Sequence, residues 1–291
     1  MSENKKNTEH QISIIVPAYN EQSIIGEVLN NLLSNVKLEK MEREIIVVDD
    51  GSGDKTAEIA KKYNVRLIQH EHNKGYGASL KTGIRSAQHS TIVIVDGDGS
   101  YPIDAISELV GFIDDYDMVV GARTGKRVEI PLMRRPAKWI LNKYANYLVK
   151  DKIPDLNSGL RVFKKEVFEK FQSILPSGFS FTATITLALL SNDYRVKYIP
   201  INYDKRGGKS KFRPIRDTFN FFSLITRASL YFNPLRVFMP ISLSLLGLGG
   251  VLLVYDVFFL QNISDKTVMI FLWGMQFGIL GLLADIISHR R

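Results

Sequence analysis

The sequence predicts an α/β protein: a doubly wound, mostly parallel sheet followed by amphipathic interface helices and a two-helix transmembrane hairpin. Three observations carry that expectation. Short apolar runs alternate with helical patterns through the first two thirds of the chain. Acidic and glycine-rich turns close those runs, where the carboxyl ends of the strands would lie. The last quarter holds two long runs without a charged residue.

The strand candidates come in order. Residues 12–16 are closed by Pro17, and residues 44–48 (EIIVV) by Asp49-Asp50-Gly51. Residues 66–69 follow, then residues 91–95 (TIVIV), closed by Asp96-Gly97-Asp98-Gly99, then 118–121 and 196–200. Helical patterns cover 21–35, 55–63, 78–87 and 103–116, with Asp54 and Pro102 standing where helix starts are expected.

Residues 237–254 (VFMPISLSLLGLGGVLLV) and 268–284 (VMIFLWGMQFGILGLLA) carry no charge. At 1.5 Å per residue each makes a helix of roughly 27 Å, close to a hydrocarbon core of ~30 Å. Gly247, Gly249, Gly250, Gly274, Gly278 and Gly281 suit close helix contact in a membrane. A pair of buried core helices is the alternative. The connection carries Asp256, Asp265 and Lys266, whereas Arg227, Arg236, His289, Arg290 and Arg291 flank the outer ends. The positive-inside rule then places both ends and the large domain in the cytoplasm of a two-span protein of the cell membrane. The polar start, residues 1–11, has no apolar core of signal-peptide type. The expected division is a tail over 1–11, a cytoplasmic catalytic domain over 12–212, an amphipathic interface helix over 213–235 and the hairpin over 236–291, a candidate surface for self-association.

Composition excludes several classes. With 45% hydrophobic and 23% charged residues the chain is neither disordered nor fibrous. It has no cysteine, so disulfides, thiolate metal sites and cysteine nucleophiles are out. Its 38 Lys and Arg against 30 Asp and Glu leave a net charge of +8, which favours anionic partners. The mean hydropathy of −0.03 averages two unlike parts. The five histidines have no metal-ligand spacing and read as structural or surface groups.

The strongest chemical signal is Asp96-Gly97-Asp98 after an apolar strand. Two carboxylates there can face one cleft, and hard oxygens suit Mg²⁺ or Mn²⁺ held jointly with substrate phosphates. The same residues also suit a polar turn. Pro17-Ala18-Tyr19-Asn20-Glu21, Asp49-Asp50-Gly51-Ser52 and Asn73-Lys74-Gly75-Tyr76-Gly77 follow the first three strands. Gly75, Gly77 and Gly83 do not match the dinucleotide fingerprint.

The order PAYNE, VDDGS, NKGYGASLKTG, DGDGSYP, GAR and NSGLRVF, over roughly residues 12–216, resembles the family-2 glycosyltransferases of GT-A fold. It looks most like the branch that moves one sugar onto a polyprenyl phosphate, such as the dolichol-phosphate mannose synthases. The resemblance implies that Pro17, Tyr19 and Glu21 cradle a nucleotide sugar, with Asn73 and Gly75, that Asp50 holds its base, and that Asp96 and Asp98 form the metal and diphosphate site. Ser100 stands where relatives often carry a Gln ligand. Arg123 and Arg161 resemble phosphate- or sugar-facing positions, counted with Asp98 as catalytic; each also suits pairing with an acidic helix.

Residues 205–216 (KRGGKSKFRPIR) hold six basic residues and no acid. Lys209, Ser210 and Lys211 can donate to phosphate; a polybasic contact with lipid headgroups or with nucleic acid fits the same composition. The arrangement resembles the acceptor-phosphate segment of the family, with one residue fewer between Arg and Gly than many relatives, and assigns Arg206, Ser210 and Lys211 to the acceptor. Residues 130–150 and 218–232 mix basic and aromatic side chains as interfacial helices do, or as helices packed on the domain do.

The expectation is an inverting, metal-dependent transfer from a nucleotide-diphosphate sugar (a UDP- or GDP-sugar) to a polyprenyl phosphate, dolichyl or undecaprenyl, with membrane but no nucleic acid as partner. A processive polysaccharide synthase is one alternative, although Arg135-Pro136-Ala137-Lys138-Trp139 lacks the Gln of that group's motif. A non-catalytic, membrane-anchored nucleotide-sugar-binding protein is the other.

Overall fold

The structure, a computed structural model, describes residues 10–125, 143–203 and 222–289, except 148, 150, 179, 224, 225 and 228. The expected acceptor residues Arg206, Ser210 and Lys211 lie outside the described residues, as do most of the tail over 1–11 and most of the segments expected as interfacial helices.

Seven strands form one sheet: β1 (Gln11–Ala18), β2 (Glu42–Asp49), β3 (Arg66–Gln69), β4 (Thr91–Ile94), β5 (Met118–Ala122), β6 (Arg161–Lys164) and β7 (Val196–Pro200). Their order is β3-β2-β1-β4-β6-β5-β7. β1 pairs in parallel with β2 and with β4, and β2 with β3. The chain therefore winds outward from β1 to β3 and returns to β4 on the other side of β1, which makes a topological switch point between β1 and β4. β6 was not expected as a strand. It runs antiparallel to both β4 and β5, so the sheet is mixed.

The strands form where β-branched residues run together, and both faces are covered. Along β1, Ile12, Ile14, Val16 and Ala18 enter one core and Ile15 the other. β2 repeats the pattern with Ile45 and Val47 on one face and Ile46 and Val48 on the opposite one, the period of two that a pleated strand imposes. On the first face, α1 (Ile25–Leu33) buries Ile25, Val28, Leu29 and Leu32, the spacing of one helical stripe. With it lie α2 (Val36–Glu39), α3 (Thr56–Ala60) and α5 (Ala105–Val110). On the second face lie α4 (Tyr76–Ser86), α6 (Lys165–Phe171) and α7 (Phe181–Ser191). The expected helix over 21–35 begins late, because residues 20–22 are tied to the loop after β2: Asn20 N donates to Ser52 Oγ at 2.9 Å and Glu21 N to Thr56 Oγ1 at 2.8 Å.

A third cluster joins the domain to the C-terminal helices. Ala145 and Val149 meet Ala183, Leu187 and Leu190 of α7, with Val237 packed against them. Val237 opens α8 (Leu235–Tyr255), which passes through a π turn (Asp256–Leu260) into the loop before α9 (Asp265–His289). The two apolar windows have mean hydropathies of 2.2 and 1.9 and are mostly exposed, as lipid-facing helices would be rather than core helices. Ser242 Oγ donates to Gly274 O at 2.7 Å. Gly249, Gly274, Gly278 and Gly281 meet the partner helix, whereas Gly247 and Gly250 face open space. In the connection, Asp256 Oδ2 accepts from Ser264 N, Ser264 Oγ and Thr267 Oγ1 at 2.7–2.8 Å, which caps the start of α9.

Close packing of α4 on the sheet depends on one missing methyl. A Cβ on Gly83 would lie 2.5 Å from Ile15 Cγ2 and 3.2 Å from Val48 Cγ2. Gly83→Ala gains up to about 1 kcal/mol of helix propensity but overpacks a buried contact at a cost of about 1–3 kcal/mol. At the middle of that range the net loss is about 1 kcal/mol, read as a lower Tm of the detergent-solubilised protein; a higher Tm would show that α4 lifts off the sheet freely.

Candidate active site

At the carboxyl end of β4 the chain turns through Asp96-Gly97-Asp98 into the switch point. A Cβ on Gly97 would lie 3.0 Å from Pro17 O, so the turns after β1 and β4 are in direct contact there. Asp96 and Asp98 line one cleft with Tyr76, Tyr101, Arg123, Asn157, Thr182 and Tyr203. Sequence reasoning quoted Tyr76, Tyr101 and Asn157 inside motifs without giving them roles, and had no signal for Thr182 or Tyr203.

Each acid is oriented by a hydroxyl. Tyr76 OH donates to Asp96 Oδ1 at 2.8 Å. Burial and the Asp96 charge push the Tyr76 phenol well above its usual range, which keeps the donor protonated. Asp98 Oδ1 accepts both the Ser100 amide, at 3.1 Å, and the Ser100 hydroxyl. Ser100 therefore braces Asp98 from within the turn. A Cβ on Gly159 would collide with the Asp96 carboxylate, so the segment entering β6 is pressed against the acid.

Among the described residues no group of three His, Asp or Glu is placed to hold a metal. Two carboxylates facing a cleft do fit Mg²⁺ or Mn²⁺, which take one or two carboxylates and complete their shell with phosphate and water.

Arg123 forms the cationic wall. Its Nε and Nη2 donate to Asp155 Oδ2 and Oδ1 at 2.6 and 2.8 Å, a bidentate pair, and its guanidinium lies 5.2 Å from the Tyr203 ring centroid. Asp155 is nearly fully buried and was missed from sequence; it holds Arg123 at the cleft edge.

Arg161 is placed differently from its expected role. It has no exposed surface. Its donors go to Ser158 O, Thr182 O and Thr186 Oγ1 at 2.7–2.9 Å, and burial pulls its guanidinium below the usual range. It is a brace beneath the cleft rather than a group that meets substrate.

Asp50, expected at the nucleotide base, is also buried. Its oxygens accept from His70 Nδ1 at 2.7 Å, Lys74 N at 2.9 Å and Gly75 N at 2.8 Å, so it fastens the loop after β3 to the loop after β2. His70 continues the chain, with Nε2 2.9 Å from Thr82 Oγ1 of α4. Gly75 takes φ 99°, a conformation that favours glycine. The first turn of α4 is closed by the chain itself: Gly77 N donates to Gly178 O at 3.2 Å and Ala78 N to Ser177 O at 2.9 Å. Tyr19 and Asn73 are exposed, and Pro17, one residue before the end of β1, lies beside Gly97.

Two outcomes test this construction. Gly159→Ala should push the Asp96 carboxylate away from Tyr76 OH and overpack the turn entering β6 at a cost of about 1–3 kcal/mol, read as a lower Tm; an unchanged Tm would show that the contact is loose. Burial pushes the Asp50 carboxyl up, but the bonds from His70, Lys74 and Gly75 outweigh it and hold it below 3.8. A depressed folded value stabilises above the unfolded one, and that stability is lost as pH falls through the folded value. Acid unfolding of the wild type should therefore steepen below about pH 4, and Asp50→Asn should be less stable at neutrality with a shallower acid limb.

Known proteins place this arrangement in a lineage. The model of "Glycosyl transferase family 2" matches residues 13–172 and that of "GtrB C-terminal hairpin" residues 233–289. An uncharacterized protein of Methanocaldococcus jannaschii is 35% identical over 66% of this chain and 80% of its own length. A dolichyl-phosphate hexose transferase of Haloferax volcanii is 28% identical over 71% of this chain and 89% of its own. A dolichol-phosphate mannosyltransferase of Pyrococcus furiosus is 28% identical over 83% and 70%. Among solved structures, glucosyl-3-phosphoglycerate synthase of Mycobacterium tuberculosis, in complex with Mn²⁺, UDP-glucose and phosphoglyceric acid, superposes with TM-score 0.60 at 18% identity, over 76% of this chain and 80% of that one. That likeness shows the GT-A fold and no more. The family match spans more than half of the chain and takes in both acids of the cleft, and on it the chain belongs to glycosyl transferase family 2.

Proposed function

We propose that the protein is a membrane-bound, inverting glycosyltransferase that moves one sugar from a UDP- or GDP-sugar to a polyprenyl phosphate. The observation that carries this reading is a conjunction. The cleft of Asp96, Asp98 and Arg123 sits in a domain packed, through Val237, onto two helices long and apolar enough to cross a membrane. Relatives named for transfer to dolichyl and undecaprenyl phosphates support it.

Asp96 and Asp98 would hold Mg²⁺ or Mn²⁺ against the donor diphosphate. The ion supplies neutralisation of charge on the leaving group. Arg123, held rigid by Asp155, adds a second positive charge from the cleft wall. The acceptor phosphate is already ionised, so its oxygen attacks the anomeric carbon without a strong base. The new C–O bond forms as the bond to the diphosphate breaks, on opposite faces of the carbon. Arg206, Ser210 and Lys211 are assigned to the acceptor phosphate, and Pro17, Tyr19, Glu21, Asn73 and Gly75 to the nucleotide end, with Asp50 bracing that rim. The domain and both outer helix ends lie in the cytoplasm.

Membranes containing the protein should transfer label from a UDP- or GDP-sugar to short-chain polyprenyl phosphate and give a product extracted with lipid. Asp98→Asn should lower turnover a thousandfold or more, about 4 kcal/mol of activation energy, without changing the fold, and excess chelator should stop the reaction. Polymer instead of glycolipid, or full activity in chelator, would refute the proposal. The chain has no cysteine, so Ser264→Cys gives a single thiol. It should react with a membrane-impermeant maleimide only from the outer side of sealed, right-side-out vesicles; labelling from the cytoplasmic side would overturn the topology.

A further inference from the structure

His70 is a buried imidazole that the proposed reaction does not use. Both of its ring nitrogens are engaged, and they reach two different elements. Nδ1 lies 2.7 Å from Asp50 Oδ1, just past the end of β2, and Nε2 lies 2.9 Å from Thr82 Oγ1 within α4. An ionised carboxylate only accepts, so Nδ1 is the donor in the first pair. Imidazole can donate there whether it is neutral or charged, so the contact does not depend on its protonation.

Asp50 passes the constraint on. Its carboxylate also accepts from Lys74 N at 2.9 Å and from Gly75 N at 2.8 Å. Gly75 stands directly before α4 with φ 99° and ψ 158°, a region that only glycine enters readily. It is wedged from the other side as well, because a Cβ there would lie 2.7 Å from Ser177 O. The next residue is Tyr76, the first of α4, and its hydroxyl donates to Asp96 Oδ1 at 2.8 Å. The direction in which α4 starts therefore decides whether that hydroxyl meets the acid. One path runs from His70 through Asp50, Gly75 and Tyr76 to Asp96.

We infer that His70 is a positioning residue for the first acid of the cleft: by orienting Asp50 it fixes the Gly75 turn, and through that turn the Tyr76 hydroxyl that aims Asp96. This rests on the function proposed above, in which Asp96 meets the donor diphosphate. The bond to Thr82 holds the body of α4 and lies off the path. The two ends of the ring thus serve different purposes, and they can be removed one at a time. The amide nitrogen of an Asn side chain stands near the place of imidazole Nδ1, and that of Gln near the place of Nε2. His70→Asn keeps the bond to Asp50, and His70→Gln keeps the bond to Thr82.

The test uses the full chain in lipid nanodiscs, with a labelled UDP- or GDP-sugar and short-chain polyprenyl phosphate. His70→Gln should lower turnover about tenfold or more, the size of effect expected when the support of a site ligand is lost. His70→Asn should recover most of that loss, and Thr82→Val should leave turnover unchanged. Tyr76→Phe should lose about as much as His70→Gln. Combining the two should cost little more than either alone, because both act on one bond. Affinity for Mn²⁺ in the presence of UDP or GDP, by calorimetry, should fall alongside turnover in His70→Gln and Tyr76→Phe. His70→Ala takes the place of the glutamine variant in every arm if that variant does not fold. Equal turnover in the Asn and Gln variants, losses that multiply in the double variant, a loss in Thr82→Val as large as that in His70→Gln, or lost turnover with Mn²⁺ affinity intact would overturn the inference. A wild type that transfers no sugar to the lipid would instead overturn the proposed function, and the affinity arm alone would then decide the inference; absence of Mn²⁺ binding as well would overturn both.

Discussion

The cleft exists because one strand runs the wrong way. β6 is inserted antiparallel between β4 and β5, with Arg161 opposite Ile94 and Val120. In an all-parallel sheet the turn entering that strand would lie at the amino ends of its neighbours, far from the switch point. Reversal brings it to the carboxyl end of β4, beside Asp96 and Asp98. Asp155, Asn157 and Gly159 all reach the cleft by this route, and Arg123 follows because Asp155 holds it. The parallel half of the sheet supplies the acids and the antiparallel strand supplies what faces them.

Reversal buries a charge, since Arg161 at the start of β6 points into the second core with no carboxylate bonded to it among the described residues. Isolated buried charges are expensive. Here the guanidinium is met by the carbonyl oxygens of Ser158 and Thr182 and the hydroxyl of Thr186. Such an arrangement specifies geometry more than it adds stability. It couples the turn before β6 to the first turns of α7, so two walls of the cleft cannot move independently. Asp50 does the same after β2, where one carboxylate holds His70, Lys74 and Gly75 of the loop after β3.

How much of this the sequence disclosed depends on the kind of residue. Strands 66–69 and 196–200 were legible to the residue, because short stretches carrying Leu, Ile, Val and Tyr stand apart from the helical patterns around them. Asp96 and Asp98 stood out because two acids flank a glycine at a strand end, a pattern that also suits a polar turn; the fold places both in one cleft. β6 was not: residues 161–164 (RVFK) are short, and an arginine and a lysine hide a strand buried on both faces. Helix α7 carries three threonines that break its apolar run, so its burial shows only in the fold. The roles of Asp50 and Arg161 depend on partners about twenty residues away along the chain, a separation that no local pattern encodes. Asp155 and Asn157 owe their meaning to the direction of β6, which sequence periodicity does not report.

α7 is the element that joins the cleft to the C-terminal helices. Its first turn carries Thr182, which lines the cleft and accepts from Arg161. One residue on, Ala183 begins a different face, continued by Leu187 and Leu190, that packs on the cluster containing Ala145 and Val149 and reaching Val237. Tyr147 OH also donates to Arg236 O at 3.3 Å, at the root of α8. A single buried helix thus touches the cleft with one face and the base of the hairpin with another. Interiors packed at this density transmit displacement rather than absorb it, so the position of the cleft relative to the base of the hairpin is set by the fold and not by a loose tether. Under the function proposed above, an acceptor whose phosphate lay at a membrane surface would need such a fixed height, because transfer between two anionic groups tolerates little error in position.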